Sequence, residues 1–298
     1  MTIATIDLNF LDRTGDIAAY LIPHAGGAAL VDPGPESTLP ALTAALGEHG
    51  LTPRDVTHVL LTHVHLDHAG AAGWFASQGA KVYVHPAGAP HMLNPEKLVA
   101  SASRLYGEYM DRLWGAMKPV PAARLVEVRD EAEIAAGDLR IRALYTSGHA
   151  EHHISYLCEN VLFSGDVGGV RFGQHAYVRL PFVPPETHLA KWRASLERMK
   201  ASGCTRIAPT HFGIYNDAVS HLTLAARFLD DVEAWLEQNM PGIPDSDTLT
   251  LRYTEFLRAH GLAAGLDDAA RKAYDVGNPI SFAASGLFRY WQKVRNGT

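Results

Sequence analysis

Two cysteines in 298 residues, Cys158 and Cys204, are too few for a disulfide framework, and both sit in or beside apolar, strand-like stretches. They read as buried thiols of a reducing compartment, with nothing nearby at metal-ligand spacing. No run approaches the roughly 18 apolar residues that a spanning helix requires. The start, Met1-Thr-Ile-Ala-Thr-Ile-Asp7, lacks the basic and then apolar pattern of a secretory signal. A cytoplasmic protein with no membrane partner is therefore expected. Blocks rich in Lys and Arg are missing too, and the formal net charge is −6. Phosphate backbones select basic faces, so no nucleic-acid partner is expected. Internal repeats and low-complexity tracts are also absent. Hydrophobic residues at 47% and charged residues at 19% fit a folded globular chain and exclude disorder.

What the chain does contain is a βαβ rhythm, the pattern of a layered α/β architecture. Strands are expected at 17–22, 28–32, 56–61 and 81–84, with Leu39, Leu42 and Leu46 at helical spacing between the second and third. A short helix is expected over 69–78. Residues 96–117 break the rhythm. Leu105, Tyr106, Tyr109, Met110, Leu113, Trp114 and Met117 form one apolar helical face, read as core packing or as a cap whose aromatics wall a substrate pocket. Short strands return at 125–128, 139–144, 154–157, 161–163 and 206–208. Between the last two lies a helix over 187–202, with Thr187 as its N-cap. Beyond residue 216 only helices are expected, interrupted at Met240-Pro-Gly-Ile-Pro244. The domain reading is a catalytic unit over 1–215, with its helical insertion near 96–117, and a helical extension over 216–298 packed on it.

Histidine, at 16 residues, is the outlier. Directly behind the strand Val59-Leu60-Leu61 the chain reads Thr62-His63-Val64-His65-Leu66-Asp67-His68, an H-x-H-x-D-H cluster. A strand delivers His63 and His65 to the same side. Asp67 and His68 follow in the turn. Neutral imidazoles and a carboxylate this close are the donors of a borderline divalent ion such as zinc. Three later strands run into another donor near a glycine: Gly148-His149, Gly165-Asp166 and Thr210-His211-Phe212-Gly213. Five histidines and two aspartates suit two metal ions with one bridging carboxylate.

This set resembles the metallo-β-lactamase-fold superfamily, from Val31-Asp32-Pro33-Gly34 to the loop of His211, over roughly residues 15–215. The resemblance implies an α/β (α+β) fold, a four-layer αββα sandwich, with the metals at one edge between two sheets. It implies that His63, His65 and His149 hold one ion and that Asp67, His68 and His211 hold the other, with Asp166 bridging. Zinc is the first expectation, with iron or manganese as alternatives. Asp32 matches a position that steadies the histidine loop from behind, although a turn before Pro33 accounts for it equally well. Around the third histidine the chain departs from the family's Gly-His-Thr-Pro-Gly-His. It reads Gly148-His149-Ala150-Glu151-His152-His153, and His152 and His153 are expected not to be ligands.

A water shared by two divalent cations loses its proton near neutral pH, which supplies a bridging hydroxide. Asp67 is the expected catalytic carboxylate, accepting a hydrogen bond from it. No G-x-S-x-G nucleophile is present. The implied function is a dinuclear metallo-hydrolase of a small-molecule thioester or lactone, similar to glyoxalase II and the lactonases. His65 stands where flavin-linked di-iron relatives carry Glu, which favours the hydrolase branches. The alternative is a mononuclear iron persulfide dioxygenase of the same fold, with a phosphodiesterase or nuclease behind it. Tyr106, Tyr109 and Trp114, with Phe172 and Tyr215, are the candidate pocket walls. Aromatic walls with few charges suit an apolar acyl group. The helical tail covers an edge or forms a homodimer contact, and both remain open.

Overall fold

The computed structural model describes residues 2–242 and 245–295. Ile243 and Pro244, the end of the expected break at Met240–Pro244, lie outside the described residues. Two sheets face each other. In the first, β1 (Ala4–Asp7), β2 (Ala18–His24), β3 (Gly27–Val31), β4 (Val56–Leu60), β5 (Lys81–Val84) and β6 (Leu125–Glu127) lie in chain order. The pairs from β1 to β3 are antiparallel and those from β3 to β6 parallel. The second sheet runs β11 (Arg206–Ala208), β10 (Val161–Phe163), β9 (Ile154–Cys158), β8 (Leu139–Tyr145) and β7 (Glu133–Ala136).

Period-two alternation along the strands assigns each side chain to a layer. Tyr20, Ile22, Val31 and Leu60 of the first sheet meet Ile141, Tyr156, Cys158 and Phe163 of the second, forming the core between the sheets. The Tyr20 and Phe163 rings pack there at 5.4 Å. The alternate residues Ala19, Leu21, Leu30 and Val59 face outward. They are covered by α1 (Leu39–Glu48), α3 (Ala72–Gln78) and α4 (Ala89–Leu93), with the single turn α2 (Leu66–Ala69) leading into α3. On the far side Leu144, Leu162 and Ile207 are covered by α7 (Leu189–Ala201) and α8 (Ala218–Asn239) through Trp192, Leu196, Leu222 and Phe228. The result is the expected αββα sandwich. Full burial stabilises each such side chain by about 1.5–3 kcal/mol, and Trp192→Ala is expected to cost about 3–5 kcal/mol.

The remaining helices are α5 (Glu96–Tyr106), α6 (Met110–Trp114), α9 (Ser246–Ala263), α10 (Asp268–Gly277) and α11 (Ile280–Tyr290). Tyr253, Leu257, Tyr274 and Leu287 of α9, α10 and α11 join the same core as α8. No described helix is long and apolar enough to cross a membrane.

Several local expectations change. The helix over 96–117 is broken into α5 and α6 by a 3₁₀ turn at Gly107–Tyr109, because Gly107 adopts φ of 53°, and Gly115 at φ 66° ends α6. Its apolar face is therefore not one stripe, and Leu105 and Tyr109 are exposed, each at 56%. The N-cap of α7 is His188, whose ring accepts from the Lys191 N–H at 3.4 Å. Thr187 instead exchanges hydrogen bonds with the Val183 backbone. Strands β1 and β7 and helix α10 had no expectation. The two strands are four-residue edges, β1 with a single buried residue and β7 with two, a pattern too short to register.

Candidate metal centre

Strands β3, β4, β8, β10 and β11 run the same way within their sheets, so their C-terminal ends open at common edges. Asp32 follows β3, the histidine cluster follows β4, His149 follows β8, Asp166 follows β10 and His211 follows β11. The edges are stitched together by Ile154 N–H to Thr62 O at 2.7 Å and Ala18 N–H to Thr210 O at 2.9 Å. Two glycines let the loops turn tightly enough. Gly148 sits at φ 135° where a Cβ would lie 2.4 Å from Trp192, and Gly165 at φ 49° where it would lie 2.5 Å from His153.

The loops bring seven donors together in three overlapping groups, one of which, His63, His68 and Asp166, connects the other two. His63, His65 and His149 offer one nitrogen each within 4.8 Å of one another. His65 Nδ1 lies 2.9 Å from His63 Nε2 and 3.0 Å from His149 Nε2. Asp67, His68 and His211 form the other group. Asp67 Oδ2 is 3.6 Å from His68 Nε2 and 3.5 Å from His211 Nε2. Asp166 stands between them. Its Oδ2 is 3.3 Å from His149 Nε2, while its Oδ1 is 3.3 Å from His68 Nε2 and 3.6 Å from His211 Nε2.

The outer nitrogens of these rings are tied down. His149 Nδ1–H donates to Pro181 O and His211 Nδ1–H to Asp16 O, both at 2.8 Å. Because a carbonyl only accepts, the neutral form of each of these rings carries its proton on Nδ1 and turns its Nε2 lone pair to the centre. His68 Nδ1–H donates to Asp32 Oδ2 at 2.8 Å. Asp32 is fully buried and also accepts from Thr62 N–H, Thr62 Oγ1–H and Thr210 Oγ1–H at 2.7–2.8 Å. It holds this post at φ 48°, a left-handed conformation that Asp tolerates better than most residues. Such partners orient ligands and raise their basicity.

The electrostatics divide the groups. Burial, then the crowding of other rings, holds His63 and His65 well below the usual histidine range, so both are neutral donors. Burial also opposes a charge on His68 and His211. Asp67 and Asp166 more than reverse it, pushing His68 well up and His211 to about 9. Burial raises Asp67, but His68 and His211 bring it down to about 2. The second group therefore demands positive charge, which protons supply when no cation does. His68 Nε2 and Asp166 Oδ1 face each other buried, yet neither has a hydrogen-bond partner among the described residues. Orphaned donors, neutral nitrogens about 3 Å apart and paired carboxylates fit divalent cations in both groups.

Above the donors lies a cavity of about 390 Å³. His65, Asp67, Asp166 and His211 form its floor. Its walls come from the loop Phe10–Ile17, from Ala102, Tyr106, Leu113 and Trp114 of the insertion, from Pro181–Pro185 and from Val276–Phe282. Trp114 stacks on Phe10 at 5.4 Å and meets Tyr106 edge-on at 5.2 Å, while Tyr106 meets Phe282 at 5.5 Å. Arg13 is the lone cationic side chain on the described walls, 3.6 Å from Asp16.

All seven expected donors thus meet, with Asp32 behind them, and Tyr106 and Trp114 line the cavity. Tyr109 does not, since the break at Gly107 turns it to solvent. Phe172 packs on Tyr274 and Tyr215 under Arg171, both away from the cavity. His152 and His153 stack near His63, at 6.2 and 5.3 Å, and belong to none of the donor groups. Sequence reasoning missed the walls at 10–17 and 276–282. The first carries a signal only in three dimensions, with Asn9, Leu11 and Asp12 all at positive φ.

Comparison with known proteins agrees with this architecture. ST1585 of Sulfurisphaera tokodaii, a metallo-beta-lactamase fold-containing protein, is 32% identical over 145 residues, 47% of this chain and 54% of its own. The atrochrysone carboxyl ACP thioesterase dmxR1 of Cryptosporiopsis is 27% identical over 177 residues, 58% of this chain and 42% of its own. The chain spans about half the length of the curated relatives it matches. The crystal structure of ST1585 superposes with a TM-score of 0.69 at 21% identity, covering 96% of this chain and 97% of that one. TTHA1429 of Thermus thermophilus gives 0.64 at 22%, covering 99% and 93%. At those identities the likeness speaks for the fold alone. Residues 12–211 match the Metallo-beta-lactamase superfamily as a whole, and the chain belongs to that superfamily.

Proposed function

We propose that the protein is a metal-dependent hydrolase of an ester-like bond in a small molecule, in the first place the thioester of an apolar acyl group. The observation that carries this reading is the placement of a wide, aromatic-walled cavity directly over the seven donors. His63, His65 and His149 would hold one divalent cation and Asp67, His68 and His211 the other, with Asp166 shared. When bound, such a pair acidifies water and polarises a carbonyl.

The chain's own groups do the rest. Asp67 is ionised and its side chain, 24% exposed, reaches the cavity floor, where it orients water by accepting a hydrogen bond. Asp32 and the carbonyls of Pro181 and Asp16 keep the imidazoles aimed. Phe10, Tyr106, Trp114 and Phe282 hold the acyl group and exclude bulk water from the reacting carbon. A phosphodiester could meet the cations on the floor, but the groups beyond it would face these apolar walls, which offer Arg13 as their one Lys or Arg side chain and so favour an apolar acyl group over a nucleic-acid strand. The likeness to an ACP thioesterase supports the choice of a thioester over a lactone.

The test is a panel of aromatic and aliphatic acyl thioesters, lactones and phosphodiesters on zinc- and manganese-loaded protein, with the metal content measured. Preferred turnover of an apolar thioester at about two cations per chain is expected. Preferred turnover of a phosphodiester would overturn the reading. So would one iron per chain with oxygen uptake on glutathione persulfide.

A further inference from the structure

A second cavity, of about 330 Å³, opens between α9 and α10 and shares no lining residue with the first. Four cationic side chains border it, Arg179, Arg258, Arg271 and Lys272, against the carboxylates Asp268 and Asp275. This local excess of two positive charges stands on a chain whose formal net charge is −6.

The pairings inside the cleft leave particular groups over. Arg271 pairs with Asp268 and donates to Leu266 O at 2.9 Å. Arg179 donates to Asp275 at 2.7 Å and to Asn278 O at 3.3 Å. Arg258 and Lys272, both exposed, have no ion-pair or hydrogen-bond partner among the described residues. Arg179 is 1% exposed, and its Nε is buried without a partner among them. Burying a guanidinium costs several kcal/mol unless its charge and donors are met. Here one half-exposed carboxylate and one carbonyl oppose it. The hydroxyl of Tyr274 is already committed, donating to Tyr177 O and accepting from Phe172 N–H, both at 3.0 Å. The unspent binding groups of the cleft are therefore cationic.

We propose that this cleft binds a phosphate group, carried as the monoester of a small organic stem. A dianion matches the excess of two charges, and guanidinium and ammonium donors give it charge-assisted hydrogen bonds. The volume exceeds what a phosphate alone fills, which leaves room for the stem. The site is separate from hydrolysis, because it shares no lining residue with the first cavity and none of the seven donors, and meets the wall of that cavity only behind it, where Arg179 donates to Asn278 O.

Isothermal titration of the metal-loaded protein with inorganic phosphate, phenyl phosphate and acetate tests this, alongside an Arg258→Ala/Lys272→Ala variant. Both side chains are exposed and unpaired, so the variant is expected to fold and to hydrolyse substrate as the parent does. Phosphate binding that weakens about tenfold or more in the variant is the expected result. Tighter binding of phenyl phosphate than of inorganic phosphate is expected for a monoester, whereas tighter binding of inorganic phosphate would overturn the organic stem and with it the proposal as stated. Binding unchanged in the variant places the anion at the metal centre and overturns the proposal. No binding to the parent, or acetate bound as tightly as phosphate, overturns it too.

Discussion

The floor and the roof of the first cavity are built on opposite principles. On the floor each ligand follows a strand or opens the turn beyond it, and His68, His149 and His211 are each held from behind by a named acceptor. The roof is assembled from a loop with three residues at positive φ, two short helices broken at glycines and the approach to α11. The floor fixes direction, because ligation fails when a nitrogen points elsewhere. The roof fixes only volume and polarity, and many sequences supply those. Changes to the floor should therefore remove activity outright, while changes to the roof should shift preference.

The largest effect is expected for Asp166→Ala, which takes a carboxylate from both donor groups at once. Turnover should fall about 10³-fold or more, with loss of bound metal by elemental analysis. Full metal content and turnover would remove Asp166 from the centre. Next comes Asp32→Ala, which leaves four buried donors without their acceptor. Stability to denaturant should drop by about 3 kcal/mol and metal affinity by about 10–100-fold. A variant with unaltered affinity would reduce Asp32 to a turn residue. On the roof, Trp114→Ala should raise KM for an apolar thioester about tenfold, with kcat and metal content nearly constant. A loss of metal there would erase the distinction between floor and roof.

The smallest effect concerns the support behind Asp166. His221 donates from Nε2 to Gly168 O at 2.8 Å, and its Nδ1 is buried without a partner among the described residues. Burial pulls its imidazole down to about 4, so the fold holds the neutral ring and the unfolded chain binds the proton first. Its contribution is complete above pH 6.5 and is lost progressively as the pH falls towards 4. Between pH 7 and pH 6 the loss should amount to about 0.7 kcal/mol. Denaturation of the parent and of His221→Leu at both pH values measures it, and equal slopes would contradict it.

The legibility of the chain follows the same divide. That His63, His65, Asp67 and His68 would gather as candidate donors was readable because little besides metal ligation calls for three imidazoles and a carboxylate within six residues. His149, Asp166 and His211 were readable because each ends an apolar strand beside a glycine, where a loop must bend. Tyr109 misled because a 3.6-residue periodicity says nothing of φ at Gly107, and one left-handed residue moved it from the expected face into solvent. Phe172 and Tyr215 are aromatic and near the donors along the chain, but they pack against Tyr274 and Arg171. Thr62 and Thr210 gave no warning, since a hydroxyl that meets Asp32 looks like any other hydroxyl.

Local pattern alone gave a layered α/β architecture, the strands that end in candidate donors and the positions of those donors, while the four-layer order came from the resemblance those residues carry. Those signals are carried by residues close along the chain, where periodicity and ligand chemistry can be read directly. Tertiary packing decided which walls close over the donors, that Phe10 meets Trp114 and Phe282 meets Tyr106, and that four cations gather between α9 and α10. Those contacts join residues tens to hundreds of positions apart. Volume, desolvation and residual charge belong to the assembled space between elements, and no single stretch of chain contains them.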